Sequence, residues 1–389
     1  MEEKEYGNLI TQRISMSLFF KNSIIPRLIF IPYFFVRVFI EIINIFSFFK
    51  FIQKKKSETL LCIESGEQGW ELIECKEIYL SASEYIGASK VKKISITKNI
   101  SYINQVYYNL KKYKPTHYLY DSRTGSQKNI NGFIQSVIIS FLFQINGVVP
   151  ICTLTDLPMR NWRLQTAIVT CKRGIVISLM SPKDISSIYP HNRLIGPLTM
   201  PFSNQTLSQI ELLNKSNRNN KKDRVVFVGS LYQPRTNILN QIHKGLKKNN
   251  INFLIKGRNL GSSKVIDDIY WLELINAEMI VITANQVTTK LTDWSHLNHL
   301  IYRYIEVPIC DSVLVAQKVP GLEKYFQEDV HYISYNSPEE AIKKISYFIN
   351  NKNKLDQIRF KGKNKAISII KSNLYWNTVD SNLKRHSLI

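Results

Sequence analysis

The chain has 389 residues, 44% of them apolar, enough for two domains of ordinary size with substantial cores. A net charge of +22 directs attention to nucleic acid, an anionic membrane face or phosphate-bearing ligands, yet the lysines are scattered in short pairs at element ends, and a general richness in Lys, Asn and Ile argues against a dedicated nucleic-acid surface. The five cysteines (Cys62, Cys75, Cys152, Cys171 and Cys310) are odd in number, form no C-x-x-C and sit mostly in apolar runs, which argues against a disulfide frame or zinc site and for small core residues in a reducing compartment.

Residues 16–52 are the most apolar part of the chain, and Lys54-Lys55-Lys56 closes them. Arg27, Arg37 and Glu41 interrupt the run, Pro26 and Pro32 punctuate it, and no small-residue cleavage site follows. Residues 1–56 therefore read as an apolar helical membrane-associating segment, peripheral or monotopic in the cytoplasmic leaflet, with its basic residues on anionic headgroups. A single span and a hairpin packed on the body of the protein are the alternatives. Under either membrane reading the basic triplet keeps residues from 57 onward in the cytoplasm.

From residue 57 short apolar strands alternate with helices. Strands are expected at Leu60–Ile63, Lys93–Thr97, His117–Tyr120, Val148–Leu154 and Ile175–Leu179, with helices from Trp70, Tyr102, Phe133 and Trp162. This alternation implies a parallel sheet covered on both faces. Polar residues gather where the strands end, at Glu64 to Gly69 (including Gly66), Asp121, Arg123 and Asp156, and ligands of open α/β sheets bind at that edge. Each such carboxylate also suits a turn or helix cap.

The polar run 214–223, NKSNRNNKKD, reads as an interdomain connection. A second α/β unit opens with Arg224–Val228, then Gly229-Ser230, where glycine lets the backbone approach a ligand, and a helix near Thr236, with Arg235 at its N-terminus, is expected to point its free N–H groups the same way. Ile251–Ile255 leads into Lys256-Gly257-Arg258, two cations at a strand end. A helix from Val265, a strand at Met279–Ala284 and the stretch IYRYIEVPICDSVLVAQKVPGLEKYF (Ile301–Phe326) follow. In that stretch Arg303 and Glu306 share one helical face, Pro308 stops the helix, and Ser312–Ala316 is a buried strand before a Pro320-Gly321 turn. Ser337-Pro338-Glu339-Glu340 is a capping box opening a further helix. His296 and His299 stand three apart with no third ligand at convincing spacing, so a structural pair is expected and no metal site.

Residues 224–370 resemble the C-terminal domain of GT-B glycosyltransferases, especially the CgeB-like, group-1-type branch. The carriers are FVGSLYQPR (Phe227–Arg235), Trp271–Ala284, Arg303–Phe326 and Asp329–Ile349. One departure stands at Cys310-Asp311, where the family usually has a small residue and glycine. The resemblance implies an α/β fold of two Rossmann-like domains facing each other: an acceptor domain at 57–213, a linker at 214–223, a nucleotide-sugar-binding domain at 224–370 and a tail at 371–389. It implies that Glu306 accepts hydrogen bonds from a ribose or donor-sugar hydroxyl, and that Arg303, Arg235 and the Gly229-Ser230 loop neutralise the diphosphate, assisted by Lys256 and Arg258. The acceptor would lie near Glu64, Gly66, Asp121, Arg123 and Asp156, with Asp121 preferred as the base if the enzyme inverts. No cofactor is implied, the nucleotide sugar being a substrate, and no D-x-D-type pair is placed for a metal. A membrane-surface location suits a lipid-linked or envelope-glycan acceptor. The rival class is a non-catalytic nucleotide-sugar or glycan-binding scaffold of the same fold.

Overall fold

The computed structural model describes residues 60–388 apart from 66–68, 98–100, 121–128, 155–159, 172, 187–188, 190, 192, 218–224, 260–266 and 285–296. The apolar segment 16–52 thus lies outside the described residues, as do Gly66, Asp121, Arg123, Asp156 and His296. Among the described residues no helix is long and apolar enough to cross a membrane.

The first unit runs β1 (Leu61–Ser65), α1 (Gly69–Ile86), β2 (Val91–Ser95), α2 (Tyr102–Tyr113), β3 (His117–Tyr120), α3 (Asn129–Ile145), β4 (Val149–Leu154), α4 (Arg160–Thr170), β5 (Ile175–Ser178), the short α5 (Pro182–Ile185) and β6 (Leu194–Ile195). Then α6 (Asn204–Ser216) precedes the second unit: β7 (Val225–Leu231), α7 (Arg235–Lys248), β8 (Phe253–Asn259), α8 (Asp267–Ile275), β9 (Met279–Ile282), α9 (Arg303–Ile309), β10 (Val313–Gln317), β11 (Ile333–Tyr335), α10 (Pro338–Ile349), α11 (Lys352–Lys371) and α12 (Leu374–Arg385). The expected elements are present, with shifted ends. Thus β2 starts two residues earlier than read, because its pairing with β1 begins at Leu61 opposite Val91.

Every strand pairing in both sheets is parallel. The first sheet has the order β2-β1-β3-β4-β5-β6 and the second β11-β10-β9-β7-β8. Counted within its own unit from the β8 edge, the second sheet repeats the order of the first with one strand fewer. The order reverses between β1 and β3 and between β7 and β9, and such sheets bind ligands at the carboxyl ends of their strands at this reversal.

The strands are apolar throughout because both faces are covered. Successive residues alternate between layers: Leu61 and Ile63 join one core and Cys62 the other, and Val226 and Val228 oppose Val225 and Phe227. One of these cores is continuous from the first sheet to the second, through α1, α6, α9, α11 and α12. All five cysteines are buried thiols in no disulfide, as small core residues.

Two helices join the units. The run 214–223 was expected to be a polar connection, but its first residues, Asn214 to Ser216, continue α6, which packs against α1 of the first unit and α8, α9 and α11 of the second. The Ser203 hydroxyl caps α6 by accepting from Thr206 N–H at 3.1 Å. The buried Glu77 carboxylate accepts from Ser203 N–H at 3.0 Å and from the Ser203 and Thr206 hydroxyls at 3.1 and 2.5 Å. Burial raises the Glu77 pKa, and these donors act against it. At the far end, residues read as a tail form α12, whose stripe of Tyr375, Trp376, Val379 and Leu383 is buried. Trp376 Nε1 donates to Ser81 Oγ at 3.0 Å, and Tyr85 Oη donates to Asn377 Oδ1 at 3.0 Å. The last helix of the chain therefore lies on the first unit.

Truncating this contact should be costly. Trp376→Ala is expected to lower stability by about 3–5 kcal/mol, the usual result of deleting a buried indole, seen as a lower urea midpoint for the whole chain. An unchanged midpoint would show that α12 does not hold the units together.

Candidate functional site

A cavity of about 910 Å³ opens between the units, within the range of small-ligand sites. Its walls come from α1 (Lys76, Glu77), from α6 and, in the second unit, from the strand ends at the β7/β9 reversal together with α8 and α9.

Its most constrained feature is built on α9. Arg303 and Glu306 are one turn apart, and their side chains pair at 3.3 Å between Nε and Oε2. Tyr270, on α8, closes the pair: its hydroxyl donates to Glu306 Oε2 at 2.5 Å and accepts from Arg303 Nε at 2.8 Å. Arg303 Nη1 also donates to the Val228 carbonyl. Glu306 is buried, and Tyr304, Ile305, Val307, Pro308 and Ile309 on the same short helix are buried with it. Burial works against the Arg303 charge, but the Tyr270 and Glu306 oxygens together outweigh it, so the guanidinium is held more firmly protonated than usual. Burial, with Glu306 adding to it, raises the Tyr270 hydroxyl well above its ordinary pKa, so it stays a donor. Tyr270 was not among the residues expected from sequence. Its only local signal was an aromatic pair, Tyr270-Trp271, and its partners are 33 and 36 positions away.

Gly229 and Ser230 were expected in a turn after the strand. They instead lie inside β7, in register with Gly257 and Arg258 of β8. Gly229 has φ +153°, and a Cβ there would come within 3.3 Å of Arg303 Nη2 and of Phe227 Cζ. That backbone conformation favours glycine, and any side chain there would press on the Arg303 guanidinium.

Arg235 does line the cavity, but much of its donor capacity is turned inward. Nε donates to Thr283 Oγ1 at 2.7 Å, Nη1 to Ser230 O at 3.0 Å and Nη2 to Thr283 O at 3.3 Å, and the guanidinium stacks 4.1 Å from the Tyr232 ring. Arg235 thus ties β7 to Thr283, the residue just after β9, across the reversal. The expectation of free N–H groups at the start of α7 needs correction: Thr236 N–H donates to Tyr232 O, and Asn237 and Ile238 N–H both donate to Pro234 O. The Pro234 turn leaves those amides engaged.

Lys256 reaches the cavity and pairs with Glu273 at 2.5 Å. Arg258 lies in β8 opposite Ser230, and its side chain is outside the described residues. Glu64 is not brought to the cavity. Its carboxylate is wholly buried and accepts from Tyr102 and Tyr118 hydroxyls at 2.6 and 2.9 Å, within the layer formed by α2 and α3. A strand-end carboxylate alternates to one face or the other, and Glu64 falls on the α2/α3 face, across the sheet from the core shared with the second unit. Of the acceptor-side residues, Gly66, Asp121, Arg123 and Asp156 lie outside the described residues. Among the described residues no group of three or more His, Cys, Asp or Glu side chains is placed to hold a metal ion. The Cys310-Asp311 departure is accommodated by conformation: Asp311 takes φ +59°, the left-handed state a glycine would adopt, and lies 3.5 Å from Lys363 Nζ.

His299 also lines the cavity. It is buried, its Nδ1 has no hydrogen-bond partner among the described residues, and burial, followed by the Arg235 charge, lowers its pKa from 6.5 to about 4. It is therefore neutral in the folded chain at neutral pH. Between pH 6.5 and 4 the unfolded chain takes up this proton and the folded chain does not, so acid destabilises the fold across that window, by about 3 kcal/mol at its lower end. Unfolding midpoints measured from pH 7 to 4 should fall further for the native chain than for His299→Asn; equal slopes would remove His299 as the cause.

Residues 235–371, under half of the chain, match the model of a family described as glycosyl transferase-like. No curated protein matches the chain in sequence. Among solved structures, Anabaena HepE in complex with UDP and glucose is similar over 83% of this chain and 100% of its own, with a TM-score of 0.54 and 12% identity. A glycosyltransferase from Rickettsia africae is similar over 84% of this chain and 98% of its own (TM-score 0.54, 10% identity), and the sucrose-phosphate synthase of Thermosynechococcus elongatus over 85% and 100% (TM-score 0.57, 10% identity). At such identities the likeness is one of fold. The chain has the GT-B glycosyltransferase fold, and its second unit carries the glycosyl transferase-like domain.

Proposed function

We propose that the chain is a metal-independent glycosyltransferase that moves a sugar from a nucleotide-diphosphate donor to an envelope glycan or lipid-linked acceptor at the cytoplasmic face of the cell membrane. The observation that carries this reading is the Arg303–Tyr270–Glu306 cluster set against Gly229 at the sheet reversal. Sugar transfer develops positive charge on the sugar ring and negative charge on the departing diphosphate. A fixed guanidinium in a partly water-excluded cleft stabilises that departing charge without reorganising at the moment of reaction. Glu306, an acceptor held by Tyr270, suits a hydroxyl of the ribose or the sugar. Lys256 adds a second cation at the same edge. What supports a nucleotide sugar in particular is that HepE, of similar fold, was solved with UDP and glucose.

The acceptor belongs on the first unit in this reading. An inverting reaction needs a base there, and Asp121 and Asp156 remain the candidates at the strand ends, with Asp121 preferred. Glu64 is removed from that role by the two tyrosine hydroxyls it already accepts. The membrane location rests on the composition of residues 16–52 and on the basic triplet Lys54–Lys56.

Incubating the full chain with UDP-, GDP- and CMP-sugars and measuring released nucleotide tests the reading. Release is expected with a nucleotide-diphosphate sugar, to persist in EDTA, and to drop by roughly 100- to 1000-fold in Glu306→Ala, as when a preorganised polar group is removed from other active sites. Donor binding without release would favour the scaffold reading, and loss of release in EDTA would overturn metal independence.

A further inference from the structure

Six of the ten large apolar side chains that are exposed among the described residues occupy one surface. Ile134, Ile138, Phe141 and Ile145 recur at spacings of four, three and four along α3, so they form one stripe, and each is between 37% and 49% exposed. Tyr107 and Tyr108 on the neighbouring α2 are 46% and 61% exposed. Both helices bury their opposite faces, through Val106 and Leu110 and through Ile139 and Phe143, in the same core. The stripe and the tyrosines therefore look outward from one layer of the first unit.

The charge of this layer is one-sided. Helices α2, α3 and α4 contain no aspartate or glutamate, while α2 ends in Lys111 and Lys112 with Lys114 just beyond it. Lys111 Nζ lies 5.6 Å from the Tyr107 ring centre, and Lys112 Nζ lies 5.6 and 5.0 Å from those of Tyr108 and Tyr113. An apolar stripe beside tyrosines and lysines, on helices that carry no carboxylate, is complementary to a surface that is oily within and anionic at its edge. It is a poor match for its own copy, because a symmetric dimer would face lysines with lysines and offer no acidic partner.

We propose that the outer face of α2 and α3 rests on an anionic lipid bilayer, with the Ile134–Ile145 stripe and Tyr107 and Tyr108 among the acyl-chain boundary and Lys111, Lys112 and Lys114 on the headgroups. This deepens the membrane-face location proposed above by naming a second contact, on the folded first unit. It does not involve the donor cleft, so its failure leaves sugar transfer untouched, and failure of sugar transfer leaves it standing.

The test uses the full chain and a single reporter. Ile138→Cys carries an environment-sensitive fluorophore, which labels selectively because the five native cysteines are buried. A control label replaces Phe360 on α11 of the second unit, which is 66% exposed. On phosphatidylglycerol-containing vesicles, with no donor present, the label at 138 should brighten severalfold and be quenched by spin-labelled lipid, while the label at 360 should not change. Reversing two charges in Lys111→Glu/Lys112→Glu should reduce partitioning roughly thirtyfold or more, and high salt should mimic it. A silent label at 138 on a chain that still floats with the vesicles would overturn the proposal and leave residues 16–52 as the sole contact. A change at 138 that follows protein concentration without vesicles would overturn it in favour of self-association.

Discussion

The structure of the second unit turns on one desolvated ion pair. Arg303 and Glu306 at a surface would contribute a few tenths of a kcal/mol; buried, the same pair carries a desolvation cost of several kcal/mol per ion unless other groups satisfy it. Here the Tyr270 hydroxyl satisfies both partners at once, and the Val228 carbonyl takes a further guanidinium N–H. Each of those groups belongs to a different element, so α8, α9 and the end of β7 must hold their relative positions. The apolar residues that surround Glu306 on α9 fix the helix, and Gly229 keeps the strand clear of the guanidinium.

The same constraint explains why the cavity lies where it does. At the β7/β9 reversal neighbouring connections leave on opposite faces of the sheet and open a crevice. Arg235 bridges it by joining Ser230 on one strand to Thr283 beyond the other, and the neutral His299 packs nearby without adding charge. The cations that line the crevice include Arg235, Arg303 and Lys256, of which Arg303 is paired with Glu306 and Lys256 with Glu273.

The two units are joined more extensively than two beads on a linker. A continuous apolar core runs through α1, α6, α9, α11 and α12, and Glu77 fastens the start of α6 to the first unit. Residues of α6 form part of the cavity wall, so any change in the angle between the units changes the shape of the cleft. The helices α2 and α3, which carry no aspartate or glutamate, lie across the first sheet from that core.

Local pattern in the chain was enough for the element order, the two parallel sheets and the Arg303–Glu306 pair, because strand and helix periodicity and a three-residue spacing are properties of neighbouring residues. The Ser337 cap, accepting from Glu340 N–H at 3.2 Å, was legible for the same reason. Tertiary structure decided what depends on distant residues meeting. It brought Tyr270 between Arg303 and Glu306, turned Arg235 inward onto Thr283, and folded the last helix back over Ser81. It also sent Glu64 into the core, since a strand-end carboxylate has two faces to choose from and only the register of β1 against its neighbours selects one. Sequence determined which residues could carry charge at a strand end; packing alone determined which of them lost their water, and to which partners.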